Sequence, residues 1–148
     1  FGEVAVHAET ALQLNPRFCL LPSLKGRLLF GSSIPVIYQN CAGGFSDANY
    51  LPWQMAWETV QHVHLLDRNV ITGRLAFRYR VKGKFYLTAL SEYGKEAHKT
   101  SHIFNGKDLW GCALRASYDF VLGPISVQTN YSNLGKNVGI YINAGFKF

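Results

Sequence analysis

The sequence predicts an all-β fold, the C-terminal part of an antiparallel up-and-down transmembrane β-barrel. Three observations predict it. Apolar and polar residues alternate in segments of about ten to fourteen residues, longer than the strands of most soluble sheets. Charged residues are only 16% of the chain and aromatics reach 14%, against roughly 25% charged in soluble domains. Short and long connections take turns along the chain, as they do in outer-membrane barrels. No apolar run approaches the ~18 residues of a spanning helix. Insertion must then be by closed sheet, the other way to satisfy backbone polar groups in lipid.

The elements follow in order. Val4, Val6, Ala8, Thr10, Leu12 and Leu14 make the first apolar face. Phe18, Leu20, Leu24, Leu28 and Phe30 make the next, opposite Lys25 and Arg27. Over 71–81, Ile71, Leu75, Phe77, Tyr79 and Val81 oppose Thr72, Arg74, Arg78 and Arg80. The 85–93 segment alternates less cleanly, with Tyr86, Thr88, Leu90 and Glu92 on one face. Trp110, Cys112, Leu114, Ala116, Tyr118 and Phe120 then oppose Gly111, Ala113, Arg115, Ser117 and Asp119. Ile125, Val127, Thr129 and Tyr131 oppose Ser126, Gln128, Asn130 and Ser132. The last segment is the clearest, with Val138, Ile140, Ile142, Ala144, Phe146 and Phe148 on one side. That makes about seven long strands, which in isolation form an open, curved sheet with two bare edges.

The chemistry of the two faces separates a membrane barrel from a soluble sandwich. Aromatics near strand ends on the apolar face suit an interfacial girdle. Arg, Gln, Asn and Glu at successive positions on the other face suit a wet lumen. Arg74, Arg78, Arg80, Glu92 and Arg115 form its charge row. Asn15-Pro16, Lys82-Gly83-Lys84 and Leu122-Gly123-Pro124 read as tight turns. The links near 32–68, 95–108 and 133–137 are longer, and this alternation places the C-terminus in the periplasm of a bacterial outer membrane. The 32–68 stretch is long for a structureless connection, and should fold inward or over the barrel. Within it, 57–66 reads equally as a short helix or a strand extension.

The remaining composition excludes more than it assigns. The net charge is +6, but its cations are spread along strands and turns, which argues against a nucleic-acid patch. Cys19, Cys41 and Cys112 lack disulfide or zinc spacing. His62 and His64 have no third ligand at a convincing distance, and His98 and His102 read as solvent-facing. Neither a cofactor nor a metal is expected. Glu3, Glu9, Glu92 and Asp119 read as lumenal partners of the basic rows. The chain opens on Phe1 in a strand, without a leader, so it is expected to be cut from a longer protein.

Tyr141, Ala144, Phe146 and the terminal Phe148 match the assembly-signal pattern of outer-membrane proteins, a last strand able to pair with the barrel-assembly machinery. Leu122-Gly123-Pro124-Ile125 and the Gly145-Phe146-Lys147-Phe148 end resemble the BamA-like bacterial surface-antigen superfamily. Ala42-Gly43-Gly44-Phe45 with Tyr50-Leu51-Pro52-Trp53-Gln54, the stretches around Gly73-Arg74-Leu75 and Arg78-Tyr79-Arg80, and Asp108-Leu109-Trp110-Gly111 most resemble the barrel of bacterial patatin-like phospholipases. The resemblance implies about the last seven strands of a barrel of roughly sixteen, with 32–68 as a long loop tucked into the lumen. Many relatives carry Arg-Gly-Phe or Arg-Gly-Tyr at that loop's tip. Here the tip motif reads Gly43-Gly44-Phe45, without the Arg.

The resemblance also implies a parent with an N-terminal patatin-type acyl hydrolase. That chemistry needs a Ser on a G-x-S-x-G elbow and an Asp base. The chain has no G-x-S-x-G, and Gly31-Ser32-Ser33 reads as a loop start. No catalytic residue is therefore expected in it. The function expected is a scaffold that anchors or exports an upstream lipid hydrolase. The alternative is a BamA-like assembly or translocation barrel without enzymatic activity. A third reading is a soluble lipocalin-like barrel with its apolar face inward. Expected partners are outer-membrane lipid and the assembly machinery, with a homodimer left open and no nucleic acid.

Overall fold

A computed structural model describes residues 1–44, 51, 53–60 and 62–145. The strands are β1 (Gly2–Glu9), β2 (Leu12–Gln13), β3 (Phe18–Phe30), β4 (Cys41–Ala42), β5 (Gln54–Met55), β6 (His64–Leu65), β7 (Asn69–Lys82), β8 (Phe85–Ala97), β9 (Lys107–Phe120), β10 (Gly123–Ser132) and β11 (Val138–Ala144). The long ones form one antiparallel meander in the order β1-β3-β7-β8-β9-β10-β11. Among the described residues the sheet does not close, and β1 and β11 are its edges. Two short 3-10 turns, Val36–Tyr38 and Thr100–Asn105, lie in the connections.

Local chemistry explains the interruptions. Glu9 pairs with Ser23 and Leu12 with Leu20 in the same register. β1 and β2 are thus one strand whose ladder lapses opposite Pro22, which has no N–H to donate. The Thr10 N–H still donates to the Pro22 carbonyl at 3.1 Å. At the first tight turn the Asn15 side chain accepts from the N–H groups of Arg17 and Phe18 at 2.8 and 2.9 Å. Gly83 supplies the left-handed residue (φ +57°) of the β7–β8 turn that a side chain would resist. The connections at the other end, 31–68, 98–106 and 133–137, are longer.

Register fixes the faces. Each step across the ladder keeps the same side, so Cys19, Arg78, Thr88, Arg115, Gln128 and Tyr141 share one inward row. The outward face is apolar and open, with Phe77, Leu87, Leu114, Val127 and Ile140 all exposed. Burial runs opposite to a soluble core: the inward residues are covered, and several of them are polar. Gln128, Asn130, Ser132, Glu92 and Thr88 are all buried. The cover is the 31–68 connection, whose β5-β4-β6 sheet lies over this face. Among the described residues of 57–66 there is neither a helix nor an extension of a long strand; β6 and a single bridge from Trp57 to Gly44 are the regular pieces.

Candidate functional site

The site is the place where this connection meets the inner wall. Gly111, Ala113 and Ala76 leave the wall thin there, with Ala76, Ala113 and Leu90 forming a small buried apolar cluster. Trp57, Glu58 and Thr59 fill the notch. A Cβ on Gly111 would meet Thr59 Cβ at 2.8 Å, so the wall glycine is required by close approach and not by its backbone angles. Trp57 is 1% exposed and its indole N–H donates to Ser132 Oγ at 3.2 Å.

Glu58 is the hub. Its carboxylate takes Arg74 from β7 on one oxygen and Arg115 from β9 on the other. Its carbonyl accepts from Gln128 Nε2 at 2.8 Å and Asn130 Nδ2 at 3.3 Å, both on β10. Its N–H donates to Glu92 of β8 at 3.0 Å. Glu92 also accepts from the Thr59 N–H at 3.2 Å and Thr59 Oγ1 at 2.8 Å. One loop turn is thereby tied to four consecutive strands. Glu58 faces two guanidinium groups, while Glu92 accepts from loop donors alone. A buried charge is tolerated on such terms and not otherwise.

A second tie lies nearer the loop's root. Arg27, 4% exposed, donates to Glu3, to the Tyr38 carbonyl at 2.9 Å and to Asn40 Oδ1 at 3.1 Å. Asn40 Nδ2 in turn donates to the carbonyls of Asp67 and Arg68 at 2.9 and 2.8 Å, clipping the two ends of the connection together.

Of the residues singled out in sequence, Arg74, Glu92 and Arg115 meet at the hub. Arg78 lies on the inward face below it, and Arg80 one row further donates to the Pro16 carbonyl at 2.9 Å. Gly43 and Gly44 back the contacting turn: the Trp57 N–H donates to the Gly44 carbonyl at 3.2 Å and Gln54 Nε2 to the Gly43 carbonyl at 2.7 Å. Both take positive φ, +144° and +75°. Phe45 lies outside the described residues, as do Phe146 and Phe148. Tyr141 is on the inward face of β11, and Ala144 is outward at its end.

Sequence reasoning did not find Trp57, Glu58 and Thr59. The available signal was a carboxylate next to a Trp in a long loop, facing a wall with more Arg than acid. Among the described residues no group of His, Cys, Asp and Glu could hold a metal.

A sheet apolar outside and polar inside, with a loop fixed on its polar face, is the arrangement of part of a transmembrane β-barrel wall. The model of the OMP85 superfamily matches residues 4–148, and the chain belongs to that superfamily. It is an outer-membrane barrel chain of the BamA-like type. Comparison with curated proteins and with solved structures gave no match.

Proposed function

We propose that the chain is the barrel scaffold of a longer outer-membrane protein, one that anchors or exports an upstream patatin-like acyl hydrolase. The observation that carries the scaffold part is the Glu58 hub. A loop tied to four strands makes the inner wall rigid and fills it, which suits a support better than an open channel. The enzyme part rests on the resemblance of the 42–54, 73–80 and 108–111 stretches to patatin-like barrels. In this reading the tight turns and the C-terminus are periplasmic, and the last strand is the one read by the assembly machinery.

The test is to read the coding frame upstream and assay the full-length protein in outer-membrane vesicles with a fluorogenic phospholipid. A G-x-S-x-G domain whose Ser→Ala variant loses hydrolysis is the expected result. Periplasmic repeat domains without hydrolysis would replace the enzyme link with an assembly or translocation barrel.

A further inference from the structure

One corner of the outward face is covered. Leu24, Gly73 and Tyr93 form one row of that face, Gly26, Ile71, Lys95 and Asp108 the next, and Asn69 and Ala97 the row nearest the long connections. Asn69 and Ala97 are buried, because the Thr100–Asn105 turn folds back over the outward side of β7 and β8. Thr100 Oγ1 donates to Asn69 Oδ1 at 3.1 Å and Asn69 Nδ2 to the His98 carbonyl at 3.1 Å. A Cβ on Gly106 would meet Ala97 Cβ at 3.1 Å. The turn buries Ile103 and leaves Phe104 80% exposed.

Beside this turn lies a groove of about 490 Å³. Leu24, Leu75 and Tyr93 wall it, Ile103 and Phe104 close its loop-side end, and Gly73 leaves its floor without a side chain. Tyr93 faces Trp110 across the ladder, and the Trp110 and Tyr131 rings are 5.4 Å apart. The groove thus opens at an aromatic girdle, the level where hydrocarbon gives way to headgroups. There Lys95 lines it and pairs with Asp108 at 2.7 Å. The covering segment, 98–107, carries Lys99, Lys107, His98 and His102 and no carboxylate. Lys99 is exposed and stands in none of the ion pairs among the described residues.

We propose that this groove holds one acyl chain of an anionic membrane lipid, with the lipid's phosphate beside Lys99 and Lys95. The inference rests on the barrel reading above, which puts this face in lipid, and adds a defined lipid site to it. An apolar face gains nothing from the hydrophobic effect in lipid, so a particular chain is held by close packing and by its headgroup. The glycine floor supplies the packing, since an extended chain can lie against the backbone between Leu24 and Tyr93. The acid-free segment supplies the charge that draws an anionic headgroup. A second copy of this chain seated here would bring a second set of the same cations, and the charge disfavours it.

The test is native mass spectrometry of the full-length protein released from nanodiscs of phosphatidylglycerol and phosphatidylcholine in equal amounts. One phosphatidylglycerol should stay with each barrel. A Cβ on Gly73 would have only the Tyr93 carbonyl within reach, at 3.9 Å. Gly73→Leu therefore fills the groove without straining the strand, and should lose the lipid. Ala89→Leu adds the same side chain to the same face outside the groove, and should keep it. Lys99→Gln should hold the lipid about fivefold more weakly, and Lys99→Arg should match wild type. Heat-modifiable migration on gels shows which variants are folded barrels, and the Lys99 variants, in a connection, serve if Gly73→Leu is not. A folded Gly73→Leu that keeps its lipid would overturn the proposal, and so would equal retention of the two lipids. A lipid-free dimer that Gly73→Leu splits would also overturn it, giving the groove to a second copy. A wild-type protein that never enters the nanodisc overturns the barrel reading and this inference together; one that enters and is released without lipid overturns the inference alone.

Discussion

At the scale of single residues, Glu58 bears the largest share of the loop's attachment. Its side chain is 5% exposed, and those of Arg74 and Arg115 are 21% and 22% exposed. Removing one member of a buried pair leaves uncompensated charge and costs up to about 3–5 kcal/mol; water near the two arginines lowers that here to roughly 2 kcal/mol. Glu58→Gln should therefore free the loop without unfolding the sheet. Limited proteolysis of intact barrels should show cleavage within 32–68 at least about tenfold faster, with the strands still protected. An unchanged cleavage rate would mean that the backbone contacts to Gln128, Asn130 and Glu92 hold the loop by themselves. Cys41 gives a second residue-scale reading. It is 1% exposed, and burial pushes its thiol up from the ordinary value, although the Arg27 charge opposes this. Burial disfavours the thiolate, which is the reacting form, and shields the sulfur from reagents. A water-soluble maleimide should leave Cys41 unmodified in the native protein and react fully after denaturation. Labelling at native pH 7 would show that the loop opens spontaneously.

The same economy holds for whole elements. β9 has an ordinary strand backbone, yet its inward row carries Gly111 and Ala113, a small-residue notch between Leu109 and Arg115. Gly111→Val suits the strand by propensity, but its Cβ would enter the space of Thr59. The β8–β9 and β9–β10 ladders should persist while the loop is expelled. Circular dichroism of the barrel should stay unchanged, and 32–68 should become as cleavable as in Glu58→Gln. A variant that keeps its loop protected would show that the turn shifts to accommodate the side chain. These elements also show where sequence reading succeeds and stops. Period-2 alternation placed the seven long strands and their faces, because lipid on one side and water on the other impose a pattern every second residue. Even β8, whose alternation is blurred by Ser91 and Lys95 on the outward face, was legible as far as Tyr93. The loop has no such solvent contrast. Its course depends on a Glu meeting two arginines from strands that are 16 and 57 positions away in the chain, and no local pattern encodes that. Glycine at 111 has no local reason in the strand pattern, because the group that requires it is Thr59, far off in the chain.

For the molecule as a whole, the deciding asymmetry is between its two surfaces. A soluble barrel with this alternation would turn the Leu114 face inward and expose the Arg115 face. Here the docked loop covers Arg115, while Leu114 is 63% exposed to the surroundings. Two substitutions in β9 separate the cases. Leu114→Arg places a charge near the middle of a spanning strand on the outer face, and should cost about 2–4 kcal/mol if that face meets lipid. Ser117→Arg adds a charge to the wet inner face near the tight turns, and should change stability by no more than about 0.5 kcal/mol. Urea unfolding in lipid vesicles, followed by tryptophan emission, measures both. The two costs in the opposite order would mean that the apolar face is a core and the polar face a surface, which would exclude a membrane barrel. The expected order also ties the smaller scales together. With lipid outside, a charge deep in the span of the strands belongs on the inner wall, which is where the Glu58 hub lies.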